Sequence, residues 1–159
     1  MYFYAAADFA AAADAYVSVY GRHADPWTTY YLLAKSFEIA VKAALIAHGV
    51  SRREISGLGH DLTAAVHLAR ARDIEVVDPK SGDTACGIEA LSAAYASTEL
   101  AYRERGAWSG PTPSLLREIV HLALNQAARY SLRPQVYDRL LGAKPARPGL
   151  TLDYISHYK

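Results

Sequence analysis

Cysteine is almost missing from this chain: Cys86 stands alone in 159 residues. An intrachain disulfide is therefore impossible, and so is a metal site of the CxxC kind. Charge imbalance is missing too. Seventeen Lys and Arg against sixteen Asp and Glu leave a formal net charge of +1, too little to draw the whole molecule toward nucleic acid or an anionic membrane. Only local basic pairs remain: Arg52 with Arg53, Arg70 with Arg72, and Arg103 with Arg105. Long apolar runs are absent as well. Lys35, Glu38 and Lys42 interrupt the best candidate, well short of the ~20 apolar residues that a membrane helix needs. The opening MYFYAAADFAAAADAY has no basic stretch ahead of an apolar one and carries Asp8 and Asp14 early, unlike a secretory signal. A cytoplasmic protein without membrane contact is expected. No segment alternates apolar and polar residues over a useful length, which excludes a sheet, and no glycine-rich phosphate loop is present.

What is there is helix. Residues 27–50 read WTTYYLLAKSFEIAVKAALIAHGV, with Asp25 suited to N-cap, Pro26 to the first helical position and Gly49 to the C-terminal cap. The span has no internal Gly or Pro and measures roughly 33 Å as a helix. Apolar side chains surround it, so it belongs among other helices. Its charges, Lys35, Glu38 and Lys42, fall at i, i+3, i+7 and form one thin line. That line either reaches solvent through a slot or meets polar partners in a cleft.

The other helices take their places around it. Residues 5–21 form an Ala-rich helix with a stripe of Phe9, Ala13, Tyr16 and Tyr20. A short connection makes it antiparallel to the second. SRREISGLG, residues 51–59, allows no more than one helical turn. A third helix starts at His60 or Asp61 and runs to about residue 72, burying Leu62, Ala65, Val66 and Ala69. A fourth, from Asp83 or Thr84 to about residue 105, buries Ile88, Leu91, Tyr95, Thr98 and Tyr102. Thr112 and Pro113 open a fifth, to about residue 130, burying Leu116, Ile119, Val120, Ala123 and Ala127. Residues 134–141 make a short sixth turn, and residues 142–159 are an arm or loose tail. The expectation is one all-α domain, residues 1–141, built as an antiparallel up-and-down bundle of four to five helices.

Few constellations carry chemistry. Glu38 and Lys42 form an i, i+4 ion pair, of small worth on an open surface. His60 and Asp61 sit where a loop enters a helix, and free N–H groups at such a start attract anions. Glu118 and His121 supply one Glu-x-x-His motif, but a di-metal bundle site needs two, so no metal or other cofactor is expected. Cys86, near a helix start, is read as a small apolar core residue rather than a nucleophile.

Three separated pieces resemble one family. The run Phe37, Glu38, Ile39, Ala40, Val41, Lys42, Ala43, Ala44, Leu45, Ile46 is followed by Gly49, then by Gly59, His60, Asp61 and Leu62, and later by Tyr102 and Arg103. In order and spacing this is similar to the HEPN (higher eukaryotes and prokaryotes nucleotide-binding) domain, over residues 30–105. Glu104, Arg105 and Gly106 stand where many members have Tyr-Pro. The resemblance implies a helical bundle, frequently a homodimer. Some members are ribonuclease toxins, some pair with antitoxins or minimal nucleotidyltransferases, and many bind nucleotide or RNA without catalysis. Ribonuclease members place an Arg and a His, four to six residues between them, near the start of a late helix. Here Arg53 and His60 have the spacing but precede the third helix, while Arg117 and His121 have the place but only three residues between them.

The resulting expectation is a HEPN-like domain that binds a nucleotide, RNA or protein partner without catalysis, through Glu38, Lys42, His60, Asp61 and Arg103. The enzymatic alternative is a metal-independent ribonuclease toxin using Arg117 and His121, with a His as acid or base and an Arg holding phosphate charge. A further alternative is an antitoxin-type or structural interaction protein.

Overall fold

The computed structural model describes residues 2–77, 82–97 and 110–132. Among these the chain is all-α: α1 Tyr2–Tyr20, α2 Pro26–Ala47, α3 Arg52–Gly57, α4 Leu62–Arg70, α5 Gly82–Ala96 and α6 Pro113–Ser131, with a 3-10 turn Gly21–His23 after α1. The expected sixth turn at 134–141, the tail at 142–159, the end of the fourth helix and Arg103 lie outside the described residues.

Helix ends form where cap chemistry directs. Asp25 accepts from the Thr28 N–H at 3.2 Å and from its hydroxyl at 2.8 Å, ahead of Pro26. Asp61 accepts from the Ala64 N–H at 2.8 Å, and Thr112 from the Leu115 N–H at 3.3 Å. Gly49 ends α2 at φ +81°, a left-handed conformation that strains any residue with a Cβ.

α2 is the central element, in contact with α1, α3, α4, α5 and α6. Leu33, Phe37, Val41 and Leu45 are buried on it, and so are the polar Thr29, Ser36 and Glu38. The Ser36 hydroxyl donates to the Ala6 carbonyl of α1 at 2.8 Å, and the Tyr30 hydroxyl to the Pro111 carbonyl at 2.7 Å. Leu62, Ala65, Val66 and Ala69 of α4 are buried as expected, as are Ile88, Leu91 and Tyr95 of α5 and all five residues expected inside α6.

Three local expectations are corrected. The buried stripe of α1 is Phe3, Ala6, Ala7, Ala10 and Ala13, not the Phe9–Tyr16–Tyr20 line. Small side chains let α1 lie close against α2, whereas a phenol keeps its hydroxyl at a polar boundary. Tyr16 accordingly accepts the Asp25 N–H at 3.0 Å, and Tyr20 is exposed. Residues 52–57 form a six-residue helix, because Ser51 and Glu54 make a reciprocal capping box. Cys86 is exposed, one turn into α5 and off its buried face.

Candidate functional site

Glu38 lies in the middle of α2 with only 4% of its surface exposed. A buried carboxylate is stable only with donors around it, and α2 alone supplies two. Lys35, one turn before, donates to Oε2 at 3.0 Å, and Lys42, one turn after, to Oε1 at 2.6 Å. The remaining donors come from other elements. The Tyr95 hydroxyl of α5 reaches Oε2 at 2.7 Å, and His60 Nδ1, at the end of the α3–α4 loop, lies 3.3 Å from the same oxygen.

The loop is held there by Lys42, whose Nζ also donates to the Gly59 carbonyl at 2.6 Å. Gly59 has φ +53°, and this left-handed turn sets the loop just before His60. His60 in turn packs edge-on against the Tyr95 ring, centroids 5.2 Å apart. Glu38, Lys42 and His60 therefore converge as one node.

The electrostatics follow from these contacts. Burial opposes the charge on Glu38, but hydrogen bonds from Lys42, Tyr95 and Lys35, with the Lys42 charge, outweigh it and lower the carboxyl to about 2. Burial and the adjacent Glu38 charge push the Tyr95 phenol well above its ordinary range, so it remains a neutral donor. Three of these contacts fall on Oε2 and one on Oε1, and with 4% of its surface exposed the carboxylate presents little of itself to a ligand. Its contacts fix the positions of Lys35, Lys42, His60 and Tyr95.

Asp61 has a different task. Its Oδ1 caps α4 and accepts from the Ser92 hydroxyl at 3.2 Å, while Ser92 Oγ accepts the N–H groups of Leu62 at 2.9 Å and Thr63 at 3.2 Å. Asp61 thus ties α4 to α5 beside the node. Arg103 falls outside the described residues.

Arg117 and His121 also converge, on a residue that sequence reasoning did not connect with them. Asp14 of α1 lies 2.6 Å from Arg117 Nε through Oδ1 and 3.3 Å from His121 Nε2 through Oδ2. The Arg117 contact is a close ion pair at a partly buried position. Burial raises Asp14, yet the His121 and Arg117 contacts together hold its carboxyl below the usual range.

Comparison with protein-family models, curated protein sequences and solved structures gives no match to this chain. The site is therefore read from its own residues. Sequence reasoning missed Tyr95 as a donor, Ser92 as a junction and Asp14 as a counter-ion. The only sign of Asp14 was an acidic residue one position from Ala13 in an Ala-rich helix. Tyr95 was expected only as core. Among the described residues no three His, Cys, Asp or Glu side chains gather as a metal would require, and no helix is long and apolar enough to cross a membrane.

Proposed function

We propose that this chain is a HEPN-like helical domain that binds the phosphate of a nucleotide or single-stranded RNA at the Glu38 node, without catalysis of its own. One observation carries the reading. The His60 side chain is 53% exposed and is tethered at Nδ1 to a buried carboxylate. An imidazole fixed through one nitrogen offers the other in a defined direction. Lys35 and Lys42 share the Glu38 carboxylate and so place two ammonium groups beside His60, while the Asp61 charge is taken up by the start of α4 and Ser92. Lys35 retains 25% exposure beside it. The order of Glu38, Lys42, Gly49, Gly59, His60, Asp61 and Leu62 in the chain supports the same family reading.

Binding is favoured over turnover because transfer at a ribose 2′-hydroxyl uses both a base and an acid. Glu38 is buried among donors and held near 2, and the Tyr95 phenol stays protonated. His60 is then the one acid–base group of the node among the described residues. A homodimer, and a nucleotidyltransferase-type or antitoxin partner, belong to the same reading through the resemblance.

His60→Ala tests it better than Lys42→Ala, because Lys42 also holds the α3–α4 loop. NMR titration with ATP and with a short single-stranded RNA should show saturable shifts at α2 and the α3–α4 loop. His60→Ala should remain folded by circular dichroism, with Lys35, Lys42 and Tyr95 still on Glu38, and lose roughly tenfold or more in affinity, the scale of one hydrogen bond to a charged group. Absence of saturable shifts in the wild type refutes the proposal.

Asp14, Arg117 and His121 favour a second reading, a metal-independent ribonuclease in which Asp14 orients His121 and Arg117 meets phosphate. Asp14 already neutralises Arg117, which weakens it. Cleavage of RNA in chelator, abolished by His121→Ala, would replace the first reading with this one.

A further inference from the structure

The charged line of α2 continues one turn further toward its N-terminus, into a residue the node does not use. Tyr31, Lys35, Glu38 and Lys42 follow at spacings of four, three and four residues, so they share one helix face over about 16 Å. Tyr31 is 36% exposed, on a helix whose neighbours Tyr30, Leu33 and Ala34 are buried. Its ring meets Tyr95 edge-on, centroids 6.1 Å apart at 64°, while His60 meets Tyr95 at 5.2 Å and 66°.

Two exposed rings from different elements thus lean on one buried ring, and that ring is fixed through its hydroxyl to Glu38. Rings held in this way lose little further freedom when a flat ligand covers them. Cations beside exposed aromatics are the arrangement that single-stranded nucleic acid recognises, with phosphate on the cation and base on the ring.

Resting on the nucleotide reading above, we infer that Tyr31 is a base-stacking residue: a single strand lies along α2 with one base on Tyr31, beside His60, and its phosphate between Lys35 and His60. Recognition then requires bases as well as phosphates. The phenol ring stacks and its hydroxyl does not, so phenylalanine substitutes for it and alanine does not.

Fluorescence anisotropy with a labelled single-stranded oligoribonucleotide, and with an abasic ribose-phosphate oligomer of the same length, tests this. The wild type should bind the base-bearing strand roughly 5- to 150-fold more tightly, the range for one base on one aromatic ring. Tyr31→Ala, folded by circular dichroism, should bind both oligomers equally and weakly, while Tyr31→Phe should behave as wild type. Equal wild-type affinity for the two oligomers, or unchanged binding by Tyr31→Ala, overturns the stacking assignment and leaves the phosphate site standing. If the wild type binds neither, the nucleotide reading fails and the stacking assignment with it; the face then belongs to a protein partner.

Discussion

Replacing Glu38 by glutamine keeps the shape of the side chain and removes its charge. On folding, the carboxyl falls from an ordinary 4.5 to about 2. At about 1.4 kcal/mol per tenfold change in proton affinity, that difference contributes about 3 kcal/mol at neutral pH. The amide also turns an N–H₂ toward donors that already crowd the site, so the loss sits within the ~3–5 kcal/mol typical of breaking a buried ion pair. In a chain of this size about 3 kcal/mol corresponds to a drop of about 6–12 °C in Tm. The sign of the pH dependence is fixed by the direction of the shift. A carboxyl depressed in the folded state stabilises fully above pH 4.5, and the benefit is lost as pH falls through about 2. At pH 3 about 1.4 kcal/mol of it should remain. Urea unfolding of wild type and Glu38→Gln from pH 7 to pH 3 reads this directly, because Asp14 and Glu54 titrate in both proteins and cancel in the difference. The gap should narrow steadily below pH 4.5. A gap that stays constant down to pH 3, or one below about 1 kcal/mol at pH 7, refutes the claim that an ionised Glu38 holds the node together.

Ser92→Ala removes the buried hydroxyl that links α4 to α5 and leaves the Leu62 N–H without its 2.9 Å acceptor. A loss of about 1–3 kcal/mol in urea unfolding is expected, with faster amide exchange at the start of α4. Asp14→Asn leaves Arg117 and His121 facing an amide. Because the Asp14 carboxyl is depressed in the fold, its contribution is present above the ordinary 3.8 and lost below it. The variant should be weaker by about 1 kcal/mol at pH 7, discounted for partial exposure, and the difference should shrink as pH falls below 3.8.

Much of the fold was legible because helix ends are written in local chemistry. Asp25–Pro26, Gly49, Asp61 and Thr112–Pro113 each act where their side chains or φ angles direct. The face of α1 was not legible. Alanine carries almost no periodic signal, and the tyrosines that do carry one sit at its rim. The capping box of Ser51 and Glu54 was readable in principle, but nearby glycines argued for a loop. The meeting of Glu38, Lys42 and His60 is expected from their order in the chain, whereas Tyr95 reads as an ordinary core residue at helical spacing. Asp14 lies about a hundred residues from Arg117 in sequence, and nothing local joins them.

The burial of Glu38 decides where any function of the node must lie. A carboxylate buried among Lys35, Lys42, His60 and Tyr95 presents little of itself to a ligand. What it leaves open is the remaining valence of its donors. Lys42 is 15% exposed and uses two of its three N–H bonds on Glu38 and Gly59. Lys35 uses one on Glu38, and His60 uses one nitrogen of two. A buried acidic residue thus fixes an outward-facing set of cationic and imidazole donors. The same contacts that stabilise α2 against α5 and the α3–α4 loop also align those donors. Stability and recognition are then coupled through one residue. In the folded protein Glu38 keeps its charge until about pH 2, so its stability contribution declines below pH 4.5 through the unfolded chain while the donors it aligns stay in place.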